Sequence, residues 1–235
     1  MTFDTNFDHR LDSNGKDPDS HSPYLKMQHQ LLWSKPLPNG ELFNLEVSPG
    51  EYLRHSSHLG GFYLSSDSIS HSLRTQKRMQ SVIEQIPESD LDEFQAIGST
   101  IGSRILFPGN RLEGQATINA ARGFSSKIND RFDLTLECIR LHYKGLANPL
   151  EDSLNRYSDF FNLFESFDGY VKFFLLQDLV TDNFSAVKFF LPHNQSFEDS
   201  PRPDSVESYM QYKANTISFV KARNNRISKW VNANV

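Results

Sequence analysis

The segment Ile128–Lys144 restricts the fold more than any other, because its helical periodicity leaves little of its surface for water. At about 100° per residue, two apolar faces emerge, one of Ile128, Phe132, Leu136, Ile139 and Tyr143, and one of Leu134, Cys138 and Leu141. The charged residues fall into one narrow stripe of Asp130, Asp133, Glu137, Arg140 and Lys144. A helix that is apolar over most of its circumference lies at the centre of its domain.

The remaining segments change in character along the chain. Strand-like segments come first, in GELFNLEV, EYLRHSSHLGGFYLSS and TIGSRILFP. After residue 125 the pattern is mostly helical, with further helices predicted at about 149–165, 168–180 and 203–231, and one strand predicted in FSAVKFFLP. Strands early and helices late favour an α+β fold. We therefore predict a single α+β domain over residues 25–235, preceded by a turn-rich arm over residues 1–24.

Composition narrows the class of protein. The chain has 235 residues, enough for one domain with a full core, and its 19 phenylalanines are expected mostly inside. A net charge of −5 argues against a broadly basic nucleic-acid binder. The single cysteine, Cys138, cannot form an internal disulfide. The acidic start does not resemble a signal peptide, and the longest apolar run is too short to span a bilayer. These features predict a cytoplasmic protein without a membrane segment.

The stretch GNRLEGQATINAARG, residues 109–123, follows a strand-like segment and has the glycine spacing of a phosphate-binding loop. Gly109 and Gly114 match that spacing. However, Gln115 stands where the lysine is required, and Ala116 where the hydroxyl is required. Those two side chains contact the phosphates and Mg²⁺ in nucleoside triphosphatases of this type. The sequence therefore excludes that class of enzyme.

A looser phosphate site remains open at the same stretch. Three arginines could converge on an anion beside the glycine-rich turn, and Asn119 could orient the ligand. These arginines are Arg111, Arg122 and Arg131. The ligand would be a nucleotide or a nucleic-acid end. The alternative is that the glycines only permit a left-handed backbone, while the arginines form ion pairs with nearby carboxylates.

The acidic stripe on the central helix offers a second set of candidates. Asp133 and Glu137 lie one turn apart and could act as a general base or as ligands of Mg²⁺. The alternative is a solvated face, in which Glu137 pairs with Arg140 three residues on. The histidines His55 and His58 have no accompanying ligands at a zinc spacing, so no residues are assigned to a structural metal.

A non-enzymatic role is also consistent with the sequence. The aromatic surplus and the acidic balance could serve a protein partner, for example in conflict between bacteria and mobile elements. An exposed patch of Phe and Tyr without a concave polar pocket would favour that function.

Several long blocks resemble those of an uncharacterised bacterial family, a domain of unknown function. These blocks are KDPDSHSP, LLWSKPLPNGELF, FPGNRLEGQATINAARGF and DRFDLTLECIRLHY. The resemblance covers nearly the whole chain, which implies a bacterial or mobile-element protein made of one such domain. It carries over no catalytic residue, because no activity is implied by the family.

Overall fold

In a computed structural model, which describes residues 3–47, 53–194 and 196–234, all six strands precede residue 109 and six of the ten α-helices follow it. The helices are α1 Pro18–His21, α2 Pro23–Trp33, α3 Gln80–Ile83, α4 Glu88–Ile97, α5 Ile118–Phe124, α6 Phe132–Tyr143, α7 Glu151–Arg156, α8 Ser158–Asn162, α9 Phe167–Phe173 and α10 Val206–Asn234. The strands are β1 Lys35–Pro36, β2 Leu42–Phe43, β3 Glu46–Val47, β4 Leu53–Ser57, β5 Gly60–Ser68 and β6 Arg104–Pro108. This arrangement confirms the predicted single α+β domain.

The two sheets are antiparallel. Strands β1 and β2 form a hairpin whose turn uses Gly40 at a φ of 86°, a left-handed conformation that glycine adopts without steric cost. Strands β3, β4, β5 and β6 form a four-stranded sheet in that order, with Leu53 opposite Leu64 and Leu64 opposite Pro108. The first two residues of the predicted EYLRHSS strand lie outside the described residues.

The edge strand β6 is buried along all five residues. An exposed edge would leave a row of unpaired backbone groups. Helix α10 packs against residues 101–103, where this edge begins, and its Arg223 donates through Nη1 to the carbonyls of Gly102 (3.0 Å) and Arg104 (2.7 Å). The same guanidinium donates through Nη2 to the carbonyl of Phe174 at 2.9 Å. Arg223 therefore joins the sheet edge to the chain after α9.

The core contains most of the aromatic residues, as predicted. Thirteen of the 19 phenylalanines are buried in one cluster: Phe43, Phe62, Phe94, Phe107, Phe132, Phe160, Phe161, Phe164, Phe167, Phe173, Phe174, Phe190 and Phe219. Cys138 is also buried, and burial raises the pKa of its thiol. None of the helices in the described ranges has both the length and the apolar character of a bilayer-crossing segment.

The N-terminal arm packs closely on the rest of the domain. His9 is buried, its backbone N–H donates to the carbonyl of Ser99 at 3.1 Å, and its Nε2 lies 2.7 Å from Oε1 of Gln28 on α2. Asp17 caps α1, and Ser22 caps α2 by accepting from the backbone of the third helical residue. Two of the turn-favouring residues of the arm, Asp17 and Ser22, are therefore N-cap residues of helices.

Left-handed residues shorten two of the predicted helices. The central helix α6 begins at Phe132 rather than Ile128, because Asn129 and Asp130 have φ values of 46° and 64°. Helix α9 ends at Phe173 because Leu175 has a φ of 55°. Such values interrupt the right-handed hydrogen-bond ladder.

Two other element predictions are wrong. The helix predicted over 149–165 is divided into α7 and α8. The segment FSAVKFFLP makes only an isolated bridge from Val187 to Val180, not a strand. At Phe190, side chains rather than a neighbouring strand form hydrogen bonds with the backbone N–H and carbonyl. Asp133 accepts from the N–H of Phe190 at 2.8 Å, and Asn215 donates to the carbonyl of Phe190 at 2.9 Å.

Replacing Arg223 tests how much the contact between α10 and the start of β6 depends on this side chain. Arg223→Met leaves three buried carbonyls without their donor, so we expect a loss on the order of 2–3 kcal/mol in the free energy of unfolding. Urea denaturation monitored by circular dichroism measures it. The matched control is Arg226→Met on the same helix. Arg226 is 37% exposed and pairs with Asp178, so less than about 1 kcal/mol should be lost. Equal losses would contradict the assigned role.

Candidate functional site

The loop between β6 and α5, residues 109–117, is fixed at both ends by side chains from the helical half. Tyr157 donates its hydroxyl to the carbonyl of Asn110 at 2.7 Å. Arg156 donates through Nη2 to the carbonyl of Ala116 at 3.0 Å. The loop is therefore a positioned segment with a defined conformation.

Two predicted ligand-binding residues, one in this loop and one in the first turn of α5, keep free polar groups. Arg111 is exposed and makes no hydrogen bond or ion pair within the described part of the chain. Asn119 donates through Nδ2 to Oγ of Ser65 at 3.1 Å, while its Oδ1 is buried without a donor. The Oδ1 of Asn110 is buried without a donor as well. Gly109 lies close to Ser65. A Cβ atom added to Gly109 would lie only 3.1 Å from the Cβ of Ser65.

Arg122, predicted to bind the ligand, is fully enclosed between two aromatic rings. Its guanidinium carbon lies 5.7 Å from the ring centre of Phe107 and 5.8 Å from that of Phe132. It forms an ion pair with Asp67, and its Nη2 donates to the carbonyl of Asp130 at 2.9 Å. These contacts fix α5 against β5 and the loop before α6.

Arg131 and Asp133 form a second buried ion pair. Arg131 also donates to the carbonyl of Pro201 at 3.2 Å and to Oδ1 of Asn194. Both carboxylate oxygens of Asp133 accept from Arg131, and one also accepts the backbone N–H of Phe190. Since Asp133 has no exposed surface, the solvated-face interpretation of the acidic stripe is wrong at this position.

Glu137, the other predicted catalytic carboxylate, pairs with Arg140. The guanidinium donates through Nε and Nη2 to the two carboxylate oxygens at 2.7 and 2.6 Å. Glu137 also lines a cavity of about 220 Å³ together with Leu141, Phe189 and Phe197. No group of three or more metal-ligating side chains is arranged for a metal ion within residues 3–47, 53–194 and 196–234. The catalytic roles of Asp133 and Glu137 stay predictions.

The structure adds a hydrogen-bonded chain that sequence reasoning missed. Trp33 donates through Nε1 to Nδ1 of His29 at 3.0 Å, which leaves the proton of the neutral ring on Nε2. That Nε2 lies 3.1 Å from the hydroxyl of Ser66, and Ser66 donates to Oδ1 of Asp19 at 3.2 Å. Arg104 donates to the same carboxylate oxygen at 2.5 Å.

Burial sets the protonation of this chain. It raises the pKa of Asp19 to about 6, and the nearby charge of Arg104 only partly opposes the shift. Burial also holds the pKa of His29 well below its usual range, which agrees with the neutral ring. A partly exposed carboxyl that titrates close to neutrality is suited to general acid–base chemistry.

A second set of charged residues, His71, Asp130 and the Asp67–Arg122 pair, influences Asp19 through the charge of Asp67. His71 places Nε2 2.9 Å from Oδ2 of Asp130. Burial disfavours the charged form of both residues, but their pairing outweighs it, so the pKa of Asp130 falls to about 2 and that of His71 rises. The charge of Asp67 contributes to the raised pKa of Asp19. We name Asp19, Asp67, His71, Arg104, Arg122 and Asp130 together the carboxylate centre.

The backbone before α6 brings Asp130 into the carboxylate centre through a left-handed turn. Asn129 and Asp130 both have positive φ values, a conformation that Asn and Asp tolerate better than most residues. The only sequence signal for this centre was the clustering of Asp and Ser in KDPDSHSP and SSDSIS. Pairs separated by 47 and 85 positions, such as Asp19 with Ser66 and with Arg104, have no local pattern.

The fold and these contacts define a single α+β domain with a charged centre beside a fixed, glycine-containing loop. The chain belongs to the family of unknown function DUF6994, whose model matches residues 3–227. No curated protein matches the chain. No solved structure matches it either.

The titration of Asp19 provides a test of the carboxylate centre. Carbon-detected NMR should place the midpoint of Asp19 near pH 6 and that of Asp130 near pH 2, as their pKa values require. The raised pKa means that folded protein binds more protons than unfolded protein between about pH 4 and 6. The contribution of protonated Asp19 to the free energy of unfolding is therefore complete below about pH 4 and is lost as the pH rises through 6.

Urea denaturation at several pH values gives the corresponding stability test. Asp19→Asn should remove this pH-dependent loss, whereas the control Asp159→Asn, at an exposed position on α8, should leave it unchanged. If both variants have the same pH profile as the unmodified protein, Asp19 is not the group responsible.

Proposed function

We propose that the protein binds a phosphate-bearing ligand, a nucleotide or a nucleic-acid end, at the 109–117 loop and the first turn of α5. The observation that carries this proposal is the free state of Arg111 on a loop fixed at both ends. Arg122 and Arg131 are buried and already paired with internal carboxylates. Arg111 is thus the arginine of the predicted set that is available to an anion.

The polar groups beside Arg111 are complementary to the rest of such a ligand. A guanidinium offers a planar set of donors that matches phosphate oxygens. The buried amide oxygens of Asn110 and Asn119 lack donors, and an unmet buried acceptor is costly. A ligand with both phosphate and N–H or O–H groups, as in a sugar or a base, would satisfy these oxygens only if the loop shifts on binding, because neither oxygen has accessible surface.

In this proposal Arg122 is a positioning residue. It lies one turn after Asn119 on α5, and its pairing with Asp67 fixes that helix against β5. Ser65, the partner of Asn119, is two residues before Asp67 on the same strand. The ligand loop and the carboxylate centre are therefore joined through α5 and β5. Acid–base chemistry at Asp19 would act on a ligand that reaches from the loop to this centre.

The proposal also includes the cellular compartment of the protein and a possible metal cofactor. A cytoplasmic, bacterial protein is the setting that the sequence favours, and Mg²⁺ with Asp133 and Glu137 stays an untested form of the chemistry. The protein-interaction function has weaker support, because most phenylalanines are in the core. Phe124 is an exception at 85% exposed. That function also stays a prediction.

Calorimetry with nucleotides tests the proposal directly. The panel is ATP, GTP, AMP, inorganic phosphate and a 5′-phosphorylated oligonucleotide, each at millimolar concentration with and without Mg²⁺. We expect at least one nucleotide to bind, and Arg111→Ala to weaken it by about tenfold or more, because the charge-assisted contact is lost.

The matched control is Arg78→Ala, at another exposed arginine without a hydrogen-bond partner in the described part of the chain. It should leave the affinity unchanged. Thermal unfolding of each variant without ligand checks that the fold is intact. Absence of binding by every nucleotide and by the phosphorylated oligonucleotide, or equal weakening by both variants, would reject the proposal.

A further inference from the structure

Lys35 occupies an unusual place for a lysine. It follows α2 and starts β1, and its side chain is only 9% exposed. Its Nζ lies 4.8 Å from the ring centre of Trp33, 4.7 Å from that of Phe173 and 4.9 Å from that of Trp230. It donates to the carbonyl of Phe173 at 2.6 Å. Three aromatic rings and one carbonyl therefore surround the amine.

No carboxylate pairs with this amine in the described part of the chain. Burial, together with the nearby charge of Arg223, lowers the pKa of Lys35 to about 7. About half of the molecules then carry a neutral amine at pH 7, whereas an ordinary lysine is neutral in roughly one molecule in a few thousand. A neutral amine has a free lone pair and is a nucleophile.

Lys35 is one of the residues that line a cavity of about 520 Å³ on the surface of the domain. Lys35 lines it together with two of the three rings, those of Phe173 and Trp230. One wall is the apolar segment 36–38. The lining also includes three side chains with oxygen acceptors, Glu165, Asp168 and Asn234. A cavity of this volume accommodates a small organic ligand.

We propose that Lys35 is a nucleophile that forms an imine with a small hydroxylated aldehyde or ketone, such as an open-chain sugar, held in this cavity. Nζ attacks the carbonyl carbon and forms a C–N bond, while the carbonyl oxygen takes up a proton. The resulting carbinolamine then loses this hydroxyl as water, and the second amine proton leaves as the C=N bond forms. One carbonyl compound and one amine give one imine and one water, without oxidation or reduction.

The walls of the cavity select this ligand class. The carboxylate of Glu165 can accept from ligand hydroxyls and can exchange the protons that the reaction moves, whereas Asp168 already accepts from Ser166 and Lys172. The apolar wall and the indole of Trp230 suit the C–H faces of a short carbon chain. This inference does not depend on the phosphate-binding proposal, because the two sites use different residues.

Reductive labelling at pH 7 tests the nucleophile. The full-length protein is treated with glycolaldehyde and cyanoborohydride, and peptide mass spectrometry follows each lysine separately. Lys35 should be labelled at least tenfold faster than Lys172, which borders the same cavity, is 58% exposed and pairs with Asp168. Labelling at Lys35 should also saturate with glycolaldehyde concentration. Labelling of Lys35 no faster than that of Lys172 would overturn the proposal.

Two further arms test the site and the ligand class. Lys35→Arg should abolish the saturable labelling, whereas Lys172→Arg should leave it unchanged. Acetaldehyde, which lacks the hydroxyl, should require at least threefold higher concentration for half-saturation at Lys35. Equal half-saturation by the two aldehydes would overturn the hydroxylated class, and persistence of saturable labelling in Lys35→Arg would overturn the site.

Discussion

The buried guanidinium of Arg223 is the interaction on which the arrangement of the two halves depends. It donates to the carbonyls of Gly102, Arg104 and Phe174, so one side chain of α10 connects the edge of the sheet to the helical half. Its acceptors are carbonyl dipoles, and burial lowers its pKa to about 9. Its charge also contributes to the lowered pKa of Lys35. Arg223 therefore contributes both to the packing of the two halves and to the electrostatics at Lys35.

Buried arginines recur in this domain with different partners. Arg104 and Arg122 pair with aspartates of the carboxylate centre, and Arg131 pairs with Asp133. Isolated buried charge is costly, so each guanidinium requires an internal acceptor. Arg111 on the 109–117 loop and Lys35 in its cavity lie outside these carboxylate pairs, and they differ in chemistry. Arg111 is a permanent cation, whereas Lys35 is an amine whose pKa is lowered to about 7.

The sequence predicted the architecture better than it predicted the site. The central helix, the order of strands before helices and the buried phenylalanines follow from apolar periodicity, which acts over a few residues. The errors occurred where side chains replaced backbone pairing, as at Phe190, or where residues such as Asn129 adopt left-handed conformations. The carboxylate centre was missed because Asp19 belongs to an arm that local patterns describe only as turns.

By itself the sequence determined the fold class, the helix that would be enclosed and the stretch around Arg111 and Asn119 as a candidate site, because periodicity and residue type are local properties. Only the tertiary structure decided which charges are free. Arg111, Arg122 and Arg131 are equivalent by residue type, yet two are enclosed with carboxylates and one is exposed. Burial and distant partners set both availability and pKa, and these depend on contacts between residues far apart in the chain.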